Sequence, residues 1–175
     1  MIVDNVRVDW LFCFEVSKKG KYGVCIVMDK GSKQHKQVET AIEAARKRGI
    51  ESGKFTDAQT RSSAFKKCLR DGDEEVAAGE RPEWYKGKVF FNANNQNQPG
   101  IVGPDAKPLM DASRLYSGCY CHVDVGFFPF NNESKGIGAG FNNIMLVKEG
   151  ERLDGRVAAE EAFAGFATTE TDDLQ

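Results

Sequence analysis

Basic and aromatic side chains stand together at three places in this 175-residue chain. Lys18, Lys19 and Lys21 precede Tyr22. Trp84 and Tyr85 precede Lys86 and Lys88, with Phe90 and Phe91 following, and Arg114 stands beside Tyr116 and Tyr120. Cations on flexible stems suit backbone phosphates, and flat rings accept unpaired bases by stacking. The pattern points to binding of single-stranded nucleic acid. Taken singly, each residue has a plainer reading: most of the 12 phenylalanines belong to a core, and most lysines are simply solvated. Tyrosine suits a wet stacking face better than phenylalanine, because its hydroxyl tolerates water. Tyr85, Tyr116 and Tyr120 are therefore the leading stacking candidates, with Lys18, Lys19, Lys21, Lys86, Lys88 and Arg114 tracking phosphates. Lys66, Lys67 and Arg70 extend that groove if the helix carrying them packs beside it.

Bond-making chemistry finds less support. Gly136-Ile137-Gly138-Ala139-Gly140 lacks the GxGxxG spacing and runs into Phe141 to Leu146, a strand pattern, whereas a phosphate cradle needs a helix N-terminus there. Those glycines share one strand face and open room for a bend or a close approach. In Cys119-Tyr120-Cys121-His122 the two thiols point one way along a strand and the imidazole the other, so they do not share an ion. The only other histidine, His35, sits in a polar, lysine-rich loop. No nucleophile context and no identifiable carboxylate pair accompanies either histidine. The chain reads as a non-enzyme with no cofactor and no metal.

Charge is unevenly distributed. The net charge is −2, yet residues 18–70 hold 14 Lys/Arg against 5 Asp/Glu, and residues 149–175 hold 2 against 8. Binding depends on where cations cluster, so the mildly acidic total does not exclude a nucleic-acid partner. After Arg156 there is no positive charge. Such a terminus is either an inert solubilising tail or, beside a basic domain, a competitor for its groove and a contact for partner proteins through Glu170, Asp172 and Asp173. The first residues, MIVDNVRVDWLF, lack the pattern of a signal peptide, and no stretch suits a membrane span. Five cysteines without framework spacing suit small buried thiols in a reducing compartment.

The expected elements place these residues. Residues 7–16 alternate strictly, with Val8, Trp10, Phe12, Phe14 and Val16 on one face. A cationic loop, Ser17 to Lys21, joins this strand to a second over Tyr22 to Met28. Val38, Ala41, Ile42, Ala45 and Gly49 follow helical spacing, with Glu43 and Lys47 as an i,i+4 pair. Thr56 and Gln59 form a capping box for a second helix carrying Ala64, Phe65, Cys68 and Leu69 inward. Asp71 to Glu83 reads as a solvated acidic loop. Strands follow over Tyr85 to Ala93, Ile101-Val102, Gly118 to Phe130 and Gly136 to Val147, and a short helix surrounds Ala158 to Phe163. The chain is mainly β with helical insertions. About five strands imply an antiparallel five-stranded barrel over 1–155, with helices inserted at about 36–70 and a short helix and acidic tail over 156–175.

Six stretches in order resemble a bacteriophage family of single-stranded DNA-binding proteins. They are Lys67-Cys68-Leu69-Arg70-Asp71-Gly72-Asp73-Glu74, Phe90-Phe91-Asn92-Ala93, Pro99-Gly100-Ile101-Val102, Tyr116-Ser117-Gly118-Cys119-Tyr120, Gly138-Ala139-Gly140-Phe141-Asn142-Asn143 and Gly155-Arg156-Val157-Ala158-Ala159-Glu160-Glu161-Ala162-Phe163. The resemblance implies an OB-type barrel that coats single strands with little sequence preference during phage DNA replication or recombination, in the cytoplasm of the infected bacterial host. It implies replication proteins, a polymerase or helicase, as partners of the acidic tail, with duplex DNA as a weaker ligand. The helices fall between strands two and three, whereas the simplest OB layout places its helix between strands three and four. Two rival classes are a metal-dependent nucleic-acid enzyme, which would cleave strands with divalent ions, and a phage structural or scaffold protein, which would assemble without responding to oligonucleotide.

Overall fold

The computed structural model describes residues 1–157 and 159–168. Its strands are β1 (Ile2–Phe12), β2 (Tyr22–Asp29), β3 (Arg70–Asp71), β4 (Lys88–Asn95), β5 (Gly100–Val102), β6 (Tyr120–Asn131) and β7 (Lys135–Lys148). They form one sheet in the order β3-β4-β2-β1-β6-β7-β5. Asn94 of β4 also pairs with Gly140 of β7, so β1, β2, β4, β6 and β7 close into a five-stranded barrel. The Asn95 amide reinforces that seam by donating to the Phe141 carbonyl at 3.2 Å. Closure is parallel while the other barrel pairings are antiparallel, so the barrel is mixed where a purely antiparallel one was expected.

The barrel interior follows the strand period. Cys119, Cys121, Val123, Val125 and Phe127 all point inward, as their alternation requires, and meet Val3, Val8, Ile26, Phe91, Phe141, Ile144 and Leu146. Each valine, isoleucine, leucine or phenylalanine among them contributes about 1.5–3 kcal/mol when fully buried. The glycine run in β7 makes room for the chain's own rings. A Cβ at Gly138 would lie 2.7 Å from the Phe128 ring, and one at Gly136 would lie 2.5 Å from the Lys66 carbonyl oxygen.

Helix α1 (Lys33–Glu51) starts where the Ser32 hydroxyl accepts the His35 N–H, and buries Val38, Ala45 and Gly49. It packs on β6 and touches β1, β2 and β7. Gly49 permits that approach, because a Cβ there would lie 2.2 Å from the Phe55 ring and 2.8 Å from Pro129. His35 lies in the first turn of α1 rather than in a loop, and Glu43 pairs with Arg46 instead of Lys47.

Two further local expectations fail. The Thr56–Gln59 capping box is present, but its helix, α2 (Asp57–Thr60), is one turn long. The Thr60 hydroxyl donates back to the Asp57 carbonyl, and the Ser62 hydroxyl accepts the Ala64 N–H. These side chains supply local turn bonds in place of a continuing helix. Lys66, Lys67 and Arg70 are therefore not on a helix. The acidic segment is not a loop throughout: α3 (Gly72–Ala77) begins where the Asp71 carboxylate accepts the Asp73 and Glu74 N–H groups. Asp73, Glu74 and Glu75 in its first turn suit the positive end of the helix dipole. At the other end of the chain, α4 (Ala159–Ala162) is exposed. Glu170, Asp172 and Asp173 lie outside the described residues.

Candidate nucleic-acid interface

Strand β1 changes face midway. Asp9 still pairs with Cys25, but the register shifts before Phe12 pairs with Gly23. Trp10, at the shift, has φ +45°. Such a left-handed conformation is uncommon for a bulky residue, and a bulge of this kind re-aims a side chain. The Trp10 N–H donates to Asp9 Oδ1 at 2.8 Å and the Leu11 N–H to Ser117 Oγ at 3.0 Å. The expected face holding Val8 and Trp10 together is thus broken. Val8 is buried, Trp10 is 62% exposed, and Phe14 and Val16 also reach solvent while Cys13 turns inward.

Trp10 stands at a cleft of about 820 Å³, lined also by Phe12, Phe14, Trp84, Tyr116, Arg152 and Arg156. Asp9, Glu15 and Asp154 border it too, so its carboxylates outnumber its two arginines. The Tyr116 hydroxyl donates to the Gly150 carbonyl at 2.8 Å, and the Arg152 guanidinium lies 4.1 Å from the Tyr116 ring centroid. Arg152 is anchored in turn on Asp154 at 3.0 Å. Burial pulls the Asp154 carboxyl upward, but the hydrogen bonds from the Arg152 side chain and the Arg156 N–H, together with the charges of both arginines, outweigh it and hold the group below the usual carboxylate range. Burial also pushes the Cys13 thiol at this cleft up to about 12.

A second cleft of about 490 Å³ opens on the other side of Trp84, which borders both. Here the cations dominate. Arg7 lies 5.1 Å from the Trp84 ring and 5.9 Å from Tyr120, while Lys148 lies 4.6 Å from Tyr120. Arg7 is held by the Gly118 carbonyl at 3.3 Å and the Glu151 carbonyl at 3.0 Å. Lys88 also lines this cleft and pairs with Asp29.

The residues chosen from sequence separate into groups. Tyr116 lines the first cleft, and Tyr120 and Lys88 the second. Lys18, Lys19 and Lys21 are exposed in the β1–β2 loop, a few residues beyond Phe14. Arg114 is half-exposed, follows the first-cleft residues Ala112 and Ser113, and reaches Glu149 at 3.8 Å. Lys86 is exposed and pairs with Glu83 at 3.0 Å. Lys66, Lys67 and Arg70 line neither cleft: Lys66 bridges to Gly136, and Arg70 pairs with Glu75 and covers the Phe90 ring.

Tyr85 does not present a stacking face. It is fully buried, its hydroxyl donating to Asp9 Oδ2 at 2.6 Å and its ring packed on Trp84 and Phe90. Burial, followed by the nearby Cys25 thiol, pushes its phenol well above the ordinary value. The residues missed were Trp10, Phe14, Arg7, Arg152 and Arg156, together with Trp84, which was noted beside Lys86 but not chosen. A tryptophan and a phenylalanine just before a lysine-rich loop were the available signal; strand alternation assigned both to the core.

The family model described as the Enterobacter phage Enc34 ssDNA-binding protein matches residues 1–175. The chain belongs to this family. The family is one of binding proteins, not enzymes, in agreement with the sequence reading. The single-stranded DNA-binding protein of bacteriophage Enc34 has the same fold, with a TM-score of 0.69 at 20% identity, over 93% of this chain and 88% of that one. A second structure of that protein, in complex with ssDNA, gives a TM-score of 0.69 at 20% identity over 87% and 88%. The gp2.5 single-stranded DNA-binding protein of bacteriophage T7 gives 0.60 at 10% identity over 97% and 93%. These likenesses identify the barrel as the OB type expected from sequence. A putative protein p50 of Acyrthosiphon pisum secondary endosymbiont phage 1 is 31% identical over 109 residues, 61% of this chain. The match spans 56% of that relative.

Proposed function

We propose that this chain binds single-stranded DNA along the two clefts that meet at Trp84, without sequence preference, and does no chemistry on it. The observation that carries the reading is Trp10, an exposed indole held in a rare backbone conformation at a cleft lined by Phe14, Trp84 and Tyr116. Solvent-facing rings that could instead pack in a core are suited to unpaired bases, each stack contributing about 1–3 kcal/mol. Arg7, Lys88 and Lys148 around Trp84 and Tyr120 supply cations for phosphates, and the exposed Lys18, Lys19 and Lys21 follow Phe14 in the chain. Membership of the Enc34 family supports the same ligand.

The setting proposed is phage DNA replication or recombination in the cytoplasm of the infected bacterium, with the acidic terminus contacting replication proteins such as a polymerase or helicase. Duplex DNA binds more weakly, because its bases are already paired and stacked and cannot enter the aromatic cleft. Fluorescence titration with oligo-dT in EDTA, across a salt series and against duplex competitor, tests this. The expected result is EDTA-resistant binding that weakens with salt and yields little to duplex. Salt-insensitive binding, or strand cleavage on adding divalent ions, would overturn it.

A further inference from the structure

One carboxylate serves two partners beneath the exposed indole. Asp9 is 9% exposed and accepts from the Trp10 N–H through Oδ1 at 2.8 Å and from the Tyr85 hydroxyl through Oδ2 at 2.6 Å. Tyr85 has no freedom of its own. Trp84 packs against its ring at a centroid distance of 4.2 Å, Phe90 meets it edge-on at 5.1 Å, and the Arg81 guanidinium sits 5.2 Å from its ring centroid. Arg81 is fixed by Glu75 at 3.2 Å and donates to the Tyr85 hydroxyl at 3.4 Å. The Asp9 carboxylate is therefore set by a rigid buried ring, and it sets the one backbone N–H whose direction fixes where the indole points.

Buried carboxylates are normally satisfied by whatever donors lie near, so the pair has an ordinary structural role to compete with. Two features separate it from that role. Trp10 has φ +45°, a conformation that persists for a bulky residue only when its surroundings over-determine it. The second neighbouring N–H, that of Leu11, is also taken by a side chain, Ser117 Oγ, in place of a strand partner. The Leu11 N–H is thus held from elsewhere in the fold, and the Trp10 N–H by its chain neighbour Asp9, whose carboxylate is in turn held by Tyr85.

We propose that Tyr85 and Asp9 are positioning residues for nucleic-acid binding, acting through Trp10 to hold its indole as a pre-set stacking platform. This rests on the reading that the Trp10 cleft receives unpaired bases. A platform that is fixed before the base arrives loses little freedom on binding, so loosening it lowers affinity without removing any phosphate contact. The salt dependence then stays the same.

The test is a double-mutant cycle on oligo-dT affinity with Tyr85→Phe and Trp10→Ala, supported by thermal unfolding of each variant. Tyr85→Phe is expected to weaken binding about fivefold, the scale of one lost hydrogen bond, at an unchanged salt slope. In the Trp10→Ala background the same change is expected to cost less than about twofold, since the residue it acts through is gone. Trp10 is the sole tryptophan in a Trp84→Phe chain, and there Tyr85→Phe should lower the fluorescence anisotropy of the DNA-free protein. Asp9→Asn keeps an acceptor for the Trp10 N–H but not a second one for the Tyr85 hydroxyl, so it should weaken binding about as much as Tyr85→Phe does, and again by less in the Trp10→Ala background. An equal loss with and without Trp10, or unchanged anisotropy, would reduce the pair to a structural role and overturn the proposal. If Trp10→Ala alone binds oligo-dT like the parent, the cleft reading fails first, and that result is distinguishable from failure of the positioning step alone.

Discussion

The two clefts that share Trp84 differ in the side chains they offer a ligand. The larger one is built from rings: Trp10, Phe12, Phe14 and Tyr116 border it, and its two arginines are more than offset by Asp9, Glu15 and Asp154. The smaller one is the more cationic, with Arg7 and Lys88 against Asp29 in its lining and Lys148 over the Tyr120 ring. Stacking on neutral rings is largely indifferent to salt, whereas phosphate contacts release counterions and weaken as salt rises. A single affinity measured at one ionic strength would merge the two. Their separation on one surface makes them separable by mutation.

The largest expected effect is on the aromatic side. Trp10→Ala should weaken oligo-dT binding by about 1–3 kcal/mol at an unchanged salt slope, measured by titration at several salt concentrations. A changed slope would mean that the two clefts do not act independently. On the cationic side, Lys88→Gln should lower the slope of log affinity against log salt by about 0.7, with a smaller loss at moderate salt. Lys66→Ala with Lys67→Ala should leave affinity nearly unchanged, since both lysines lie outside the clefts. A large loss there would redirect the strand across β7.

The smallest effect concerns two buried thiols, Cys13 at the aromatic cleft and Cys25 against Tyr85. Burial raises the Cys13 thiol from about 9 to about 12 and the Cys25 thiol to about 11. Above the ordinary thiol value the unfolded chain gives up these protons while the folded one keeps them. Stability is then fully present below about pH 9 and declines as the pH rises from there to about 12. Denaturant unfolding across that range should show the decline, and thiol reagents at pH 8 should label Cys13 and Cys25 only after unfolding. Rapid labelling of Cys13 in the folded protein would show that the cleft opens at that point.

Long periodic segments were legible from the sequence alone. The inward run Cys119 to Phe127 is a strand because every second residue is apolar over most of its length, and Thr56 with Gln59 signals its cap through a local hydrogen-bond pattern. Misread residues were decided by distant parts of the chain. Tyr85 looks like a surface ring beside lysines, yet Asp9, Trp84 and Phe90 enclose it. Trp10 looks like a core residue by alternation, but a bulge stabilised by Asp9 and Ser117 turns it outward. The two exchanged roles: the ring expected to stack supports the one that is exposed. Arg152 and Arg156 escaped notice because they follow the last strand, in a segment read mainly for its acidity.

The most direct test of the account is the emission of Trp10 in a Trp84→Phe chain as oligo-dT is added, with binding followed independently by electrophoretic shift. Stacking of a base on the indole predicts quenching that saturates together with the shift, and little quenching with duplex. A shifted complex with unaltered Trp10 emission would place the DNA elsewhere on the barrel and contradict the account.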